Sequence, residues 1–336
     1  MAPRIKVGIL GATGLMGQRY AAHLADHPRF RLSTMAASTQ HVGKRYGDVI
    51  SLADRKTYSD MLLCKTEELG EYCDWIFSSP IESVAMDIER GYAHQGKIVI
   101  SSAAPWRLKE GIPLIIPEIN GADVGMLPQQ QRRWGWSGAI LAKPNCAVQT
   151  FLLPIAPIHK VWGVKRAVVT MMQSLSGGGS QLIDRGIGRH NVLPTLRDEE
   201  RKGESESQKI LGKSIPFHVQ SHRLPISHGH MASITLFLEK KASREEVITK
   251  WRSFPSLSLF SSPSHPLQVI EGEHRPQPAR DLLHNGMSVM VGGVRVEEEG
   301  KLLHCVALSD NLERGGAGGG ILLAEWLDTQ RGKAWL

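Results

Sequence analysis

The chain opens with a pattern that few folds can accommodate. A short, mostly apolar run, Ile5 to Leu10, ends directly in the glycine-spaced turn Gly11-Ala12-Thr13-Gly14-Leu15-Met16-Gly17, and a helical stretch then continues to about Asp26. β-Branched residues in a run of this length read as a strand, and closely spaced glycines let the backbone reverse sharply into a helix. Further strand runs follow at about Arg31 to Ala36, Trp75-Ile76-Phe77 and Ile98-Val99-Ile100, alternating with helical segments such as Ser83 to His94. Alternation of this kind predicts a doubly wound, Rossmann-type parallel sheet with right-handed crossovers over roughly the first 140 residues.

After Cys146 the texture changes. Longer strands appear, such as Ala167 to Gln173 and Ala232 to Leu238, separated by polar, glycine-rich connections. The expected architecture is therefore α/β: a Rossmann-type domain over 1–145, completed by a C-terminal helix within 315–336, and an α+β catalytic and dimerisation domain over 146–314. The segment Ser261 to Arg280, rich in Pro, Ser and His, reads as a loop. With 336 residues the chain is long enough for two such domains.

Composition excludes several other classes. No apolar run approaches the roughly 20 residues that cross a bilayer, and the N-terminus carries no signal-peptide pattern, so the expectation is a cytoplasmic protein without a membrane partner. The four cysteines are widely spaced, with neither a CxxC pair nor a Cys/His cluster, which argues against a disulfide framework or a metal site. The net charge of +7 is spread along the chain without a nucleic-acid-binding motif. Anionic small molecules account for it equally well.

The N-terminal turn carries the first functional expectation. Glycines there let backbone approach a pyrophosphate, and the following helix offers free N–H groups and the positive end of its dipole, so Gly11, Thr13, Gly14, Leu15 and Met16 are candidate dinucleotide-binding residues. The plainer alternative is a tight strand-to-helix turn with no ligand. An acidic residue at the end of the second strand would favour NAD; the chain instead reads Ala36-Ala37-Ser38-Thr39-Gln40-His41, with Lys44 and Arg45 just beyond. NADP is the expected cofactor, with Ser38 among its contacts.

Cys146, in Lys143-Pro144-Asn145-Cys146-Ala147, precedes an apolar helical stretch, which would put its sulfur at a helix N-terminus. Unpaired N–H groups and the helix dipole stabilise a thiolate there. A buried structural cysteine is the competing reading. Downstream, Arg223-Leu224-Pro225-Ile226-Ser227-His228-Gly229-His230 sets a guanidinium and an imidazole seven residues apart. Between them and Cys146 lies a strand end running into a glycine loop, Gln173 to Gly179.

Taken in chain order, five segments resemble the aspartate-β-semialdehyde dehydrogenase family, in particular its archaeal and fungal branch: the GATGLMG turn, Ser101 to Asn120, KPNCA around Cys146, RLPISHGH ending at His230, and Asp310 to Gly318. The resemblance implies that Cys146 attacks the acyl phosphate of aspartyl phosphate, expels phosphate and forms a thioester, which hydride from NADPH reduces to aspartate semialdehyde. It implies His230 as general acid/base, with His228 as the nearby competitor. Arg223 would hold the substrate α-carboxylate as a bidentate fork, Glu206 the amino group, and Gln173 would orient the substrate. Arg107 and Lys209 would hold phosphate, Asn145 would fix the thioester, and Gly177 and Asn311 would meet the cofactor, Asn311 at the nicotinamide amide. A homodimer or homotetramer is the implied assembly.

Without the resemblance, Arg107 and Lys209 read as solvated surface charges and Glu206 as part of a solvent-facing charged helix from Arg197 to Lys209. The chain departs from the family pattern at Ala147, where a hydroxyl is usual, at Gln40, where many members carry an arginine, and in the extra glycines Gly316 and Gly318 to Gly320. Three alternatives stay open: a malonyl- or succinyl-CoA reductase on the same scaffold, an N-acetylglutamyl-phosphate reductase, and a non-catalytic NADP-binding paralogue.

Overall fold

A computed structural model describes residues 3–50, 57–79, 82–178, 191–212, 215–282 and 286–331. Gly179 of the glycine loop and the last five residues of the expected C-terminal segment lie outside that set. The chain divides into two compact units, Met1–Pro117 with Gly121–Lys143 and Ala317–Leu336, and Glu118–Asn120 with Pro144–Gly316.

The first unit is built on six parallel strands, β1 (Ile5–Leu10), β2 (Phe30–Ala36), β3 (Leu63–Cys64), β4 (Trp75–Ser78), β5 (Ile98–Ser101) and β6 (Ala139–Ala142), in the order β3-β2-β1-β4-β5-β6. Every residue of β4, β5 and β6 is buried. Both faces of such strands are covered, which is why they read as continuous apolar runs without alternation. Helices α1 (Leu15–Leu24), α2 (Glu82–His94) and α3 (Leu127–Trp134) belong to this unit, as does the C-terminal helix Ala317–Thr329. That helix is apolar and buried over most of its length, and two contacts hold its far end: His27 Nε2 to Glu325 at 2.9 Å and Arg29 Nε to Asp328 at 2.5 Å. Strand order reverses between β1 and β4, the position at which doubly wound sheets bind ligands.

The second unit is a mixed sheet of β7 (Val164–Gln173), β8 (Phe217–Arg223), β9 (His230–Leu238), β10 (Leu267–Val269), β11 (Val289–Glu297) and β12 (Leu302–Ser309), ordered β10-β11-β12-β9-β7-β8. β7 and β8 run parallel, with Gln173 opposite Arg223, and β9 returns antiparallel beside β7. Burial alternates along β8 and β9, because one sheet face packs on α4 (Cys146–Trp162), α5 (Arg197–Leu211) and α6 (Arg244–Arg252). Two expectations are corrected. The segment Ser261 to Arg280 contains strand β10, whose Leu267 and Val269 pair in parallel with Val289 and Val291, a partner that no local pattern announces. The charged helix α5 is not wholly solvent-facing: Gly203, Glu206, Ser207 and Ile210 are buried.

Candidate active site

Cys146 is the first residue of α4, and Asn145 caps the helix by accepting a hydrogen bond from the Ala147 N–H through Oδ1 at 2.8 Å. Two carboxylates of α5 hold that cap from behind. Glu206 accepts the backbone N–H of Asn145 at 2.7 Å, and Glu199 accepts its side-chain Nδ2 at 2.9 Å. Seven residues apart, Glu199 and Glu206 lie two turns along one helix face. The cap leaves the sulfur at the positive end of the helix dipole.

His230 opens β9 and is fully buried, with Nε2 3.3 Å from Cys146 Sγ. Arg223 and Gln173 close the neighbouring strands β8 and β7. Arg223 Nη1 donates to Gln173 Oε1 at 3.1 Å and to the Ser174 carbonyl at 2.9 Å, and Gln173 Nε2 donates to Glu199 at 3.3 Å. The Arg223 side chain is buried, yet its Nε has no hydrogen-bond partner among the described residues. A buried guanidinium with an unmet donor is costly unless an acceptor arrives, and a carboxylate suits its planar fork. Burial lowers the Arg223 pKa, opposed by the Cys146 and Glu199 charges. Burial, and after it the Arg223 guanidinium, push the His230 pKa down to about 3. Glu199, although its burial opposes ionisation, is held below the usual carboxylate range by Lys202, whose Nζ donates to it at 2.9 Å, and by Asn145 and Gln173.

The turn Leu175–Gly178 closes over this group. A Cβ added to Gly177 would stand 2.7 Å from both Arg223 Nη1 and His230 Cε1, and one added to Gly315 would stand 2.6 Å from Cys146 Cβ. Gly177→Ala is therefore expected to displace the imidazole and guanidinium by several tenths of an ångström and to lower kcat/KM by about 100-fold. Steady-state kinetics beside an unchanged far-ultraviolet spectrum checks this.

Cys146, His230, Arg223, Gln173, Asn145 and Glu206 are thus linked into one group, partly through Glu199 and Ser174. Gly177 also sits here, in the second unit, against the catalytic pair. Lys209 is half-buried on α5, and Arg107 belongs to the first unit, where its Nη2 donates to the Ser102 carbonyl at 2.7 Å. His228 is exposed and His222 bonds the Pro194 carbonyl at 2.7 Å, which leaves His230 as the imidazole at the sulfur. Asn311 lies in the second unit, where its Oδ1 accepts from Ser174 Oγ, Ser176 Oγ and the Gly229 N–H at 3.1, 3.2 and 3.1 Å and its Nδ2 donates to Ser176 Oγ at 3.0 Å. Glu199, Lys202, Ser174 and Gly315 were not singled out from sequence. Glu199 alone had a legible signal, the seven-residue spacing to Glu206 on a helical run. Among the described residues no group of three or more His, Cys, Asp or Glu side chains is arranged to hold a metal ion.

In the first unit, Gly11 has φ +78°, a left-handed conformation that only glycine adopts readily, and its N–H and that of Ala12 both bond the Ala36 carbonyl at 3.0 Å. Gly14 begins α1 with no side-chain cap, and Leu15 and Met16 form its first turn, so backbone donors face outward at the strand-order reversal. The Thr13 carbonyl accepts from Gln18 at 2.7 Å. Ser38 is exposed just beyond β2, while Arg45 pairs with Asp60 at 2.9 Å. These features fit a dinucleotide.

Known proteins resemble this chain in sequence and fold. Residues 6–126 match the family model "Semialdehyde dehydrogenase, NAD binding domain" and residues 187–314 match "Semialdehyde dehydrogenase, dimerisation domain". The aspartate-semialdehyde dehydrogenase of Archaeoglobus fulgidus is 34% identical, covering 96% of this chain and 97% of its own. The chain belongs to the semialdehyde dehydrogenase family. Another relative is the malonyl CoA reductase (NADP) of Metallosphaera sedula, 31% identical over 97% of this chain and 98% of its own. Among solved members of this fold, the Candida albicans aspartate semialdehyde dehydrogenase with NADP superposes with a TM-score of 0.86 at 28% identity, covering 97% of this chain and 99% of that one. No helix among the described residues is long and apolar enough to cross a membrane.

Proposed function

We propose that the protein is an NADP-dependent aspartate-semialdehyde dehydrogenase, which converts L-aspartyl 4-phosphate to L-aspartate 4-semialdehyde through a thioester on Cys146 in lysine, threonine and methionine biosynthesis. The observation that carries this reading is the buried Arg223 guanidinium, whose Nε–H has no acceptor among the described residues, beside the Cys146–His230 pair. It suits a substrate that presents a carboxylate a few bonds from its reacting carbonyl. The Cys146 sulfur adds to the acyl carbon, the tetrahedral oxyanion collapses and phosphate departs. When bound at the Gly11–Met16 turn, the dinucleotide supplies the hydride that reduces the thioester. His230 Nε2 stands where it can stabilise or exchange a proton with the sulfur and the intermediate's oxygen. Lys44, exposed beyond β2 and unlike Arg45 not paired with Asp60, is the proposed contact for the 2′-phosphate.

The anchor for the substrate amino group is better placed at Glu199 than at Glu206. Both carboxylates are engaged, Glu199 by Asn145, Gln173 and Lys202 and Glu206 by the Asn145 N–H, and what favours Glu199 is that its charge acts on both Arg223 and His230. Glu199→Gln is expected to raise KM for aspartate semialdehyde by about 10-fold or more, and Glu206→Gln to lower kcat with little change in KM. The reverse pattern would return the amino group to Glu206. Arg107 and Lys209 remain the proposed phosphate contacts.

A homodimer or homotetramer is proposed from the matched dimerisation model and from the sheet face that leaves Val168 38% exposed. Val168→Glu is expected to shift the sedimenting species toward a single chain. A cytoplasmic location accords with four cysteines that form no disulfide with one another. The competing malonyl-CoA reductase reading draws on the Metallosphaera relative, but malonate has no amino group to engage Glu199. The deciding assay supplies aspartate semialdehyde, phosphate and NADP and follows NADPH. Turnover of malonyl-CoA with no phosphate-dependent signal would favour the reductase.

A further inference from the structure

The strand that ends in Arg223 is held from its open side. β8 stands at the edge of its sheet, paired in parallel with β7. Val219, Ser221 and Arg223 turn their N–H groups to that edge, where an unprotected row of donors would accept any passing strand. Each is met from outside the sheet. Glu204 Oε1 accepts the Val219 N–H at 3.2 Å, Glu200 Oε1 accepts the Ser221 N–H at 3.1 Å, and the Leu193 carbonyl accepts the Arg223 N–H at 3.0 Å. The later helix residue meets the earlier strand residue, so α5 runs antiparallel to β8. Four residues rise about 6 Å along a helix and two residues advance about 6.5 Å along a strand, so the pair of carboxylates matches the pair of N–H groups. A slip of one residue along α5 would turn both carboxylates by about 100° and break both bonds. Gly203 lets the helix lie this close: a Cβ there would stand 2.9 Å from Val219 Cγ1.

Beside these anchors stand the two residues that the proposed function assigns to the substrate. Glu199 precedes Glu200 on α5, and Arg223 follows Ser221 by two residues on β8. One amide joins them: Gln173 Nε2 donates to Glu199 Oε2 at 3.3 Å, and Gln173 Oε1 accepts from Arg223 Nη1 at 3.1 Å. We infer that Glu200 and Glu204 are positioning residues, which fix the register of α5 on the edge of β8 and so set the span between the Glu199 carboxylate and the Arg223 guanidinium. An α-amino acid carries its ammonium and its carboxylate on one carbon, so two anchors serve it together only over a narrow range of separations. The register therefore favours such a substrate over an acid that lacks the amino group. That consequence rests on the substrate proposed above; the register does not.

Hydrogen–deuterium exchange, side-chain amide spectra and kinetics of the full chain test this. In the double variant Glu200→Ala with Glu204→Ala, the Val219 and Ser221 amides should exchange about 10-fold faster or more. The Gln173 side-chain amide signal, assigned by its loss in Gln173→Met, should shift. KM for aspartate semialdehyde should rise about 10-fold or more with kcat within about threefold, and the preference over the same aldehyde without its amino group should shrink by a similar factor. Glu200→Gln with Glu204→Gln keeps an acceptor oxygen at both positions and should return all of these readouts toward wild type. Faster exchange with KM and the preference unchanged would make the two residues merely structural, and unchanged exchange would remove them from the edge. If the double alanine variant does not fold, Glu200→Ala alone gives the same reading. Exchange and the amide spectra need no substrate. A wild-type chain that fails to turn over aspartate semialdehyde would overturn the proposed function, whereas a Gln173 signal that stays in place in the alanine variant would overturn the positioning.

Discussion

Cys146→Ala is expected to abolish phosphate-dependent NADPH formation from aspartate semialdehyde, by at least about 10⁴-fold in kcat, while the protein stays folded. Among the described residues, Cys146 Sγ is the thiol beside His230 Nε2, and the amides, hydroxyls and carboxylates around it are held in hydrogen bonds. The stability cost should be small, on the order of 1 kcal/mol, because the side chain is short and only half-buried. A melting temperature within a few degrees of wild type, together with retained cofactor binding, would separate lost chemistry from lost structure. Alkylation provides an independent measure. Burial pushes the Cys73 and Cys305 thiols up to about 12, and Cys64 is raised as well, so limiting iodoacetamide near neutral pH should label Cys146 first. Full activity in the alanine variant would end the thioester mechanism for this chain, whichever acyl donor it uses.

Arg223→Lys should lower kcat/KM for aspartate semialdehyde by about 100-fold even though the charge is kept. The guanidinium does two things at once. Nη1 bridges Gln173 Oε1 and the Ser174 carbonyl, while Nε is left for an acceptor that the described residues do not provide. A single ammonium cannot do both, and it would leave either the Ser174 carbonyl or the substrate carboxylate poorly met. Most of the loss should fall on KM, since the carboxylate is bound alike in ground and transition states; a smaller fall in kcat follows from the loosened Ser174. Comparison with an aldehyde that lacks the α-carboxylate tests the assignment. Wild type should discriminate strongly between the two, and the lysine variant should compress that ratio. An undiminished ratio would remove Arg223 from carboxylate binding.

How much of this was legible beforehand depended on the range of the interaction that decides each feature. The β1-turn-α1 entry is encoded within a dozen or so residues, by β-branched runs and glycine, and the structure has the strand and helix within a residue or two of where the pattern puts them. The start of α4 was equally local, marked by Pro144 and the capping Asn145. Strand β10 was missed because three residues among prolines and serines become a strand only when β11 lies beside them. Glu199 was missed for a related reason: in Asp198-Glu199-Glu200-Arg201-Lys202 every residue reads as a solvated helix face, and packing of α5 against β8 and α4 singles out one carboxylate.

Sequence alone therefore determined the parallel dinucleotide-type sheet and the helix terminus beneath Cys146, while the roles proposed for the side chains around it came from the family resemblance. The first two follow from the conformational preferences and chemistry of neighbouring residues. Only the tertiary structure decided which carboxylate meets the Asn145 and Gln173 amides, that Asn311 turns to Ser174 and Gly229, and that His230 Nε2 faces the Cys146 sulfur. Those outcomes depend on partners supplied by segments tens to more than a hundred residues apart, which no run of neighbouring residues encodes.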